Sequence, residues 1–97
     1  MKEKVYKYLT NISKGKVVTY GQIAEYLGNK KLARVVGNIL HNNPDEDKYP
    51  CYKVVDGKGN LSKHFAFGGI EKQKEKLEKE GIDVINYKVD LDKYKML

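Results

Sequence analysis

Two short amphipathic stretches separated by a glycine turn constrain this chain more than any other feature of its sequence. Thr19 and Gln22 form a Thr-x-x-Gln pattern, the sign of a helix N-terminal capping box, just ahead of the apolar residues Ile23, Ala24 and Leu27. Gly28 is the residue type that ends a helix, so the spacing predicts a helix over 20–27. A second is predicted over 31–41, with Leu32, Val35, Val36 and Ile39 as its buried stripe. Its other side carries Ala33, Arg34, Gly37, Asn38 and His41. A mid-helix glycine such as Gly37 costs about 1 kcal/mol of propensity, and small residues let a helix backbone approach a partner closely. Two short helices joined by a glycine-containing turn are the helix-turn-helix signature, with the second helix as the reader of DNA.

The charge distribution agrees with a polyanionic partner. Residues 1–43 carry eight Lys/Arg against two Glu, whereas 44–97 carry eleven of each sign, so the whole excess of +6 lies in the first half. Lys14, Lys16, Lys30 and Lys31 are the candidates for phosphate contact. Ninety-seven residues suffice for one domain, read here as 1–97 with a C-terminal extension over 82–97. No apolar run could span a bilayer, and no signal-peptide pattern opens the chain. One cysteine permits no internal disulfide, which fits a reducing cytosol. That cysteine and two separated histidines lack metal-ligand spacing, so neither a metal nor a cofactor is expected.

The remaining pattern predicts a fold that is mainly α with a small β wing. Val5, Tyr8, Leu9 and Ile12 predict a helix over 3–13, and Ile70, Gln73 and Leu77 lie on one face of a charged helix over 70–80. Val54-Val55, the turn 56–59 and Asn60-Leu61 read as a hairpin wing. Alternation at 82/84 and 87/89/91 reads as one or two short strands. Before the wing, Cys51 follows Pro50 in a loop.

Several motifs in register resemble the DNA-binding domain of the O6-alkylguanine-DNA alkyltransferase family. They are Val17-Val18-Thr19-Tyr20-Gly21-Gln22-Ile23-Ala24, Ala33-Arg34-Val35-Val36-Gly37, Asn43-Pro44, Pro50-Cys51-Tyr52-Lys53-Val54-Val55, Gly68-Gly69 and Lys76-Leu77-Glu78-Lys79-Glu80-Gly81. The resemblance runs from about Val5 to Gly81 and implies the winged helix-turn-helix of the alkyltransferase C-terminal domain. Its implied partner is double-stranded DNA containing O6-alkylguanine, bound through the minor groove with the damaged base flipped out. Arg34, the chain's only arginine, matches the finger that fills the hole left by that base. Ala33, Gly37, Asn38, Lys31 and Lys53 join it as DNA-binding positions. Tyr20 matches the tyrosine that crowds the target phosphate and protonates the departing guanine. Asn43 matches the residue that orders the active-site turn, Cys51 the nucleophile that takes the alkyl group, and Glu80 the far end of a proton relay.

The chain departs from the family pattern directly after the cysteine. Active members have histidine there to deprotonate the thiol through a water; this chain has Tyr52, and a phenol with a pKa of about 10 is a poor base. A free thiol, with a pKa of about 8.5, is only a few per cent thiolate at neutral pH. His41 and His64 do not occupy the missing histidine's place and read as surface residues, although His64 lies in the loop that borders the expected pocket. That loop, 63–67, has about two residues more than the common pattern, counted against the family motif. Many alkyltransferases also carry an N-terminal domain, and a stand-alone domain of this length resembles the alkyltransferase-like proteins. Those bind alkylated DNA without repair and pass it to other repair proteins, but usually have tryptophan in place of Cys51. Three readings follow: an alkyltransferase using Cys51, a damage sensor that binds without transfer, and a DNA-binding winged helix with neither lesion specificity nor chemistry.

Overall fold

The computed structural model describes residues 1–97. Five helices and a two-stranded sheet occur in the order α1 (Lys2–Thr10), β1 (Val18–Thr19), α2 (Tyr20–Tyr26), α3 (Ala33–His41), β2 (Val54–Val55), α4 (Gly69–Lys79) and α5 (Leu91–Tyr94). Single 3-10 turns at Lys30–Leu32 and Cys51–Lys53 lead into α3 and β2. α2 begins where its capping residues dictate. The Thr19 hydroxyl accepts from the Gln22 amide at 3.1 Å, and the Gln22 side chain returns the favour to the Thr19 amide at 2.8 Å. α2 and α3 pack against each other as a helix-turn-helix, with α1 closing the other side of α3.

Two apolar clusters hold this arrangement. The first joins Val5 and Leu9 of α1, Ile23 and Ala24 of α2, and Val36 and Leu40 of α3 with Cys51, Val54 and Phe65. The second joins Val17, Val55, Leu61 and Leu77 with Ile82, Val84, Val89 and Tyr94 from the C-terminal segment. Both contribute through non-directional burial of apolar area. The 82–97 extension is thereby built into the fold. Val17 donates to the Tyr94 carbonyl and accepts from Met96, both at 2.8 Å, so the end of the chain runs alongside β1.

Five expectations need correction. α3 buries Val36 and Leu40 rather than the full stripe 32/35/36/39; Val35 is 38% exposed, because the preceding 3-10 turn rotates the helix relative to a continuous one from residue 31. Ala33, placed by its spacing on the open side, packs against the first cluster instead. The 54–61 hairpin does not form. Val54-Val55 pairs in parallel with Val18-Thr19, while the Asp56 carboxylate accepts from the amides of Lys58 and Asn60, closing 56–60 into a self-contained turn. The strands expected after residue 82 reduce to isolated bridges around a tight turn with Asn86 and Tyr87 at positive φ, followed by α5. α1 likewise ends at Thr10, and Ile12 is buried just beyond it.

Candidate nucleic-acid interface

The face of α3 turned away from the core carries Arg34, Gly37, Asn38 and His41, which helical periodicity sets in one row. Arg34 is exposed and takes part in none of the chain's ion pairs. A methyl group added at Gly37 would touch nothing within 4 Å, so no packing inside the chain requires glycine there. Beside this row opens a cleft of about 410 Å³ lined by Gly37, Asn38, Leu40 and His41 of α3, Tyr20 of α2, Cys51, Gln73 of α4, and Ser62, His64, Phe65 and Ala66 of the loop that precedes α4. Its size falls in the range of about 300–1,000 Å³ common to small-molecule sites. Helix-turn-helix row, thiol and cleft therefore share one face.

Cys51 lies 5% exposed on this cleft. Burial pushes its thiol above the usual range, a nearby Asn43 amide and Lys76 pull it back, and the Glu46 charge adds to the rise. Asn43 itself is buried and bridges the loop before the cysteine. Its Nδ2 donates to the Tyr49 carbonyl at 2.7 Å and its Oδ1 accepts from the Asp45 amide at 3.0 Å. Pro50 and the Tyr6–Tyr49 ring stack, with centroids 4.9 Å apart, complete the fixed approach to Cys51. The half-buried Tyr20 hydroxyl is pushed to higher pKa by burial, an effect that hydrogen bonding to Ser62 partly offsets.

In the turn that begins at Cys51, Tyr52 and Lys53 join an ionic cluster whose composition departs from expectation. Lys53 had the character of an exposed DNA-facing lysine in the sequence, yet it is 3% exposed. Its Nζ is drawn inward to the Glu80 Oε1 at 2.9 Å and to the Ser13 carbonyl at 2.8 Å, so it cannot reach a phosphate. The Gly15 amide also donates to Glu80 Oε1, at 2.9 Å, and the Tyr52 hydroxyl donates to Glu80 Oε2. Burial opposes the Glu80 charge, but the bonds from Tyr52, Gly15 and Lys53 outweigh it and hold the carboxyl below its usual range. Burial and the Glu80 contact in turn drive Tyr52 strongly upward, so its phenol stays protonated.

Other basic candidates are distributed unevenly. Lys31 and Lys14 are exposed, but Lys30 pairs with Glu25 at 3.3 Å and Lys16 donates to the Lys93 carbonyl at 3.3 Å. His41 and His64, read as plain surface residues, are exposed and also line the cleft. Ser62 and Gln73 were not anticipated there. A glutamine between Ile70 and Leu77 on an apolar helix face was the available signal for the latter.

A helix-turn-helix whose outer row borders a thiol-lined cleft has the architecture of a nucleic-acid-binding domain. Comparison with known proteins makes the class specific. The model of the 6-O-methylguanine DNA methyltransferase DNA-binding domain matches residues 1–82, and the chain belongs to that family. It is 38% identical over 93 residues to alkyltransferase-like protein 1 of Schizosaccharomyces pombe, covering 96% of this chain and 84% of that protein. It is 40% identical over 92 residues to a DNA base-flipping protein of Vibrio parahaemolyticus, covering 94% and 90%. The fold superposes with a TM-score of 0.90 and 35% identity on the crystal structure of S. pombe Atl1 with damaged DNA containing O6-carboxymethylguanine, covering 99% of this chain and 94% of that one. The Mycobacterium tuberculosis O6-methylguanine methyltransferase superposes at 0.72 with 34% identity, over 81% of this chain and 47% of its own.

Proposed function

We propose that this protein recognises O6-alkylguanine in double-stranded DNA, receives the rotated base in the Cys51 cleft, and at neutral pH holds it without taking the alkyl group. The row on α3 supplies the docking surface: Gly37 leaves room for the minor-groove wall, while Asn38 and Lys31 contact the backbone. Arg34 enters the stack, where a planar guanidinium replaces the departed base by stacking and hydrogen bonding. Tyr20 crowds the target phosphate and favours rotation.

The observation that carries the absence of transfer is the ionic cluster. In-line transfer needs the Cys51 proton removed, so that an Sγ–carbon bond can form while the carbon–O6 bond breaks and the guanine gains a proton. Tyr52 donates its own proton to Glu80, and the other Glu80 oxygen is occupied by Lys53 and Gly15. No member of the cluster is a strong base toward the thiol: Glu80 is held in its charged form, Tyr52 keeps its proton, and burial of the thiol favours its protonated form. The likeness to alkyltransferase-like and base-flipping proteins supports the same reading. A bound lesion held in this way would remain available to other repair proteins.

A second reading, transfer to Cys51, is favoured by one observation: the thiol faces the cleft in which the alkylated base would sit. Lesion recognition is common to both and is tested by anisotropy titration of an O6-methylguanine duplex against an undamaged duplex at equal salt. The expected result is a clear preference for the lesion; equal affinities refute the recognition itself.

A further inference from the structure

Gln73 points inward from α4 and is 1% exposed. Its amide is satisfied in three directions. Oε1 accepts from the Ser62 amide at 2.8 Å, and Nε2 donates to the carbonyls of Tyr52 at 3.0 Å and Val54 at 3.1 Å. Removing one partner from such a buried group exposes the full cost of an unpaired donor or acceptor. The two carbonyls belong to the segment that directly follows Cys51. Ser62 opens the loop that supplies the cleft's far wall, Ser62, His64, Phe65 and Ala66. Within that loop, the Ser62 hydroxyl accepts from the His64 amide at 3.2 Å. One buried amide thus ties the Cys51 segment to the far wall of the cleft.

We propose that Gln73 is the positioning residue of the cleft: it fixes Ser62 against the Cys51 segment, and this preset wall sets the preference for alkylated over undamaged guanine. The inference rests on the reading of the cleft as an O6-alkylguanine site. A wall already held in place needs no ordering when the base arrives, whereas a released loop must be ordered at each binding event. Contacts from α3 to the duplex lie outside this tie, so the effect falls on the extruded base rather than on docking.

Two substitutions separate the parts. Gln73→Lys keeps a donor for the Tyr52 and Val54 carbonyls but cannot accept from Ser62. Ser62→Ala keeps the amide bond to Gln73 and removes the hydroxyl that accepts from the His64 amide, loosening the far wall. Affinities are read by anisotropy for an O6-methylguanine duplex and for the same duplex undamaged. Each variant is expected to lower the lesion-to-undamaged ratio by about tenfold, with the double variant lowering it no further. The Ser62 amide should also exchange with deuterium faster in Gln73→Lys. An unchanged ratio in Ser62→Ala, or losses that multiply in the double variant, overturns the proposal. In the wild-type protein the Ser62 amide should be protected from deuterium exchange, and exchange at the rate of an open loop overturns the proposal even where Gln73→Lys does not fold. A wild-type protein with no lesion preference marks the failure of the cleft's assignment instead.

Discussion

Three kinds of neighbour govern the Cys51 thiol: apolar packing and the Glu46 charge raise its pKa, and the Asn43 amide with Lys76 lowers it. The balance is upward, so the thiolate is scarcer at neutral pH than in an exposed cysteine. Alkylation of Cys51 by iodoacetamide is therefore expected to be slow at pH 7 and to rise about tenfold per pH unit well past the ordinary thiol range. Mass spectrometry after timed exposure checks this; a rate already at its plateau at neutral pH contradicts it. Arg34 belongs to the same scale. Arg34→Ala should abolish lesion preference while leaving weak binding that falls steeply with salt, measured by titration at several ionic strengths. Most of these residues were legible in the sequence because each keeps a residue type that its chemistry requires, such as the sole arginine and the Pro-Cys pair. Lys53 was not legible: only the folded chain brings Ser13, Gly15 and Glu80 around its ammonium group.

At the scale of elements, α3 trades stability for access. Gly37 has open space above it, so Gly37→Ala should stabilise the helix by about 1 kcal/mol, because alanine loses less backbone entropy. The same methyl group stands where the duplex would approach, so DNA affinity should fall. Thermal melting and anisotropy on one sample test both signs; a rise in stability with unchanged binding means the helix does not dock by this face. The turn over 56–60 shows the opposite constraint. Gly59 has φ +91°, and a side chain there would collide with the Val89 carbonyl. Gly59→Ala should cost about 2 kcal/mol or more in urea denaturation, from left-handed strain and overlap together. Local signals made α1, α2 and α4 readable: the capping box at Thr19 and the apolar spacing of α1 and α4 each act within one or two turns. The pairing of Val54-Val55 with Val18-Thr19 was hidden because parallel strands are joined through distant sequence, while the nearby Asp56-Gly57 turn imitates a hairpin.

For the molecule as a whole, the C-terminal segment and the ionic cluster bind the helix-turn-helix to the thiol loop. The family model ends at residue 82, yet Val84, Val89 and Tyr94 complete the second apolar cluster, and the Gln22 side chain donates to the Met96 carbonyl at 2.6 Å. The cluster also links folding to pH. Glu80 has a lowered pKa in the folded state, so its stabilisation is present above the ordinary carboxylate range and is lost as pH falls through the folded value. Glu80→Gln should therefore narrow the stability difference between pH 7 and about pH 3, read from urea midpoints. An unaltered difference would place the acid sensitivity in other carboxylates. The same cluster underlies the central claim, that the lesion is bound and its alkyl group left in place. Intact-mass measurement after incubating the protein with an O6-methylguanine duplex at neutral pH tests it most directly. The account predicts an unchanged protein mass with the lesion still present in the bound DNA; a gain of one methyl group on Cys51 contradicts it.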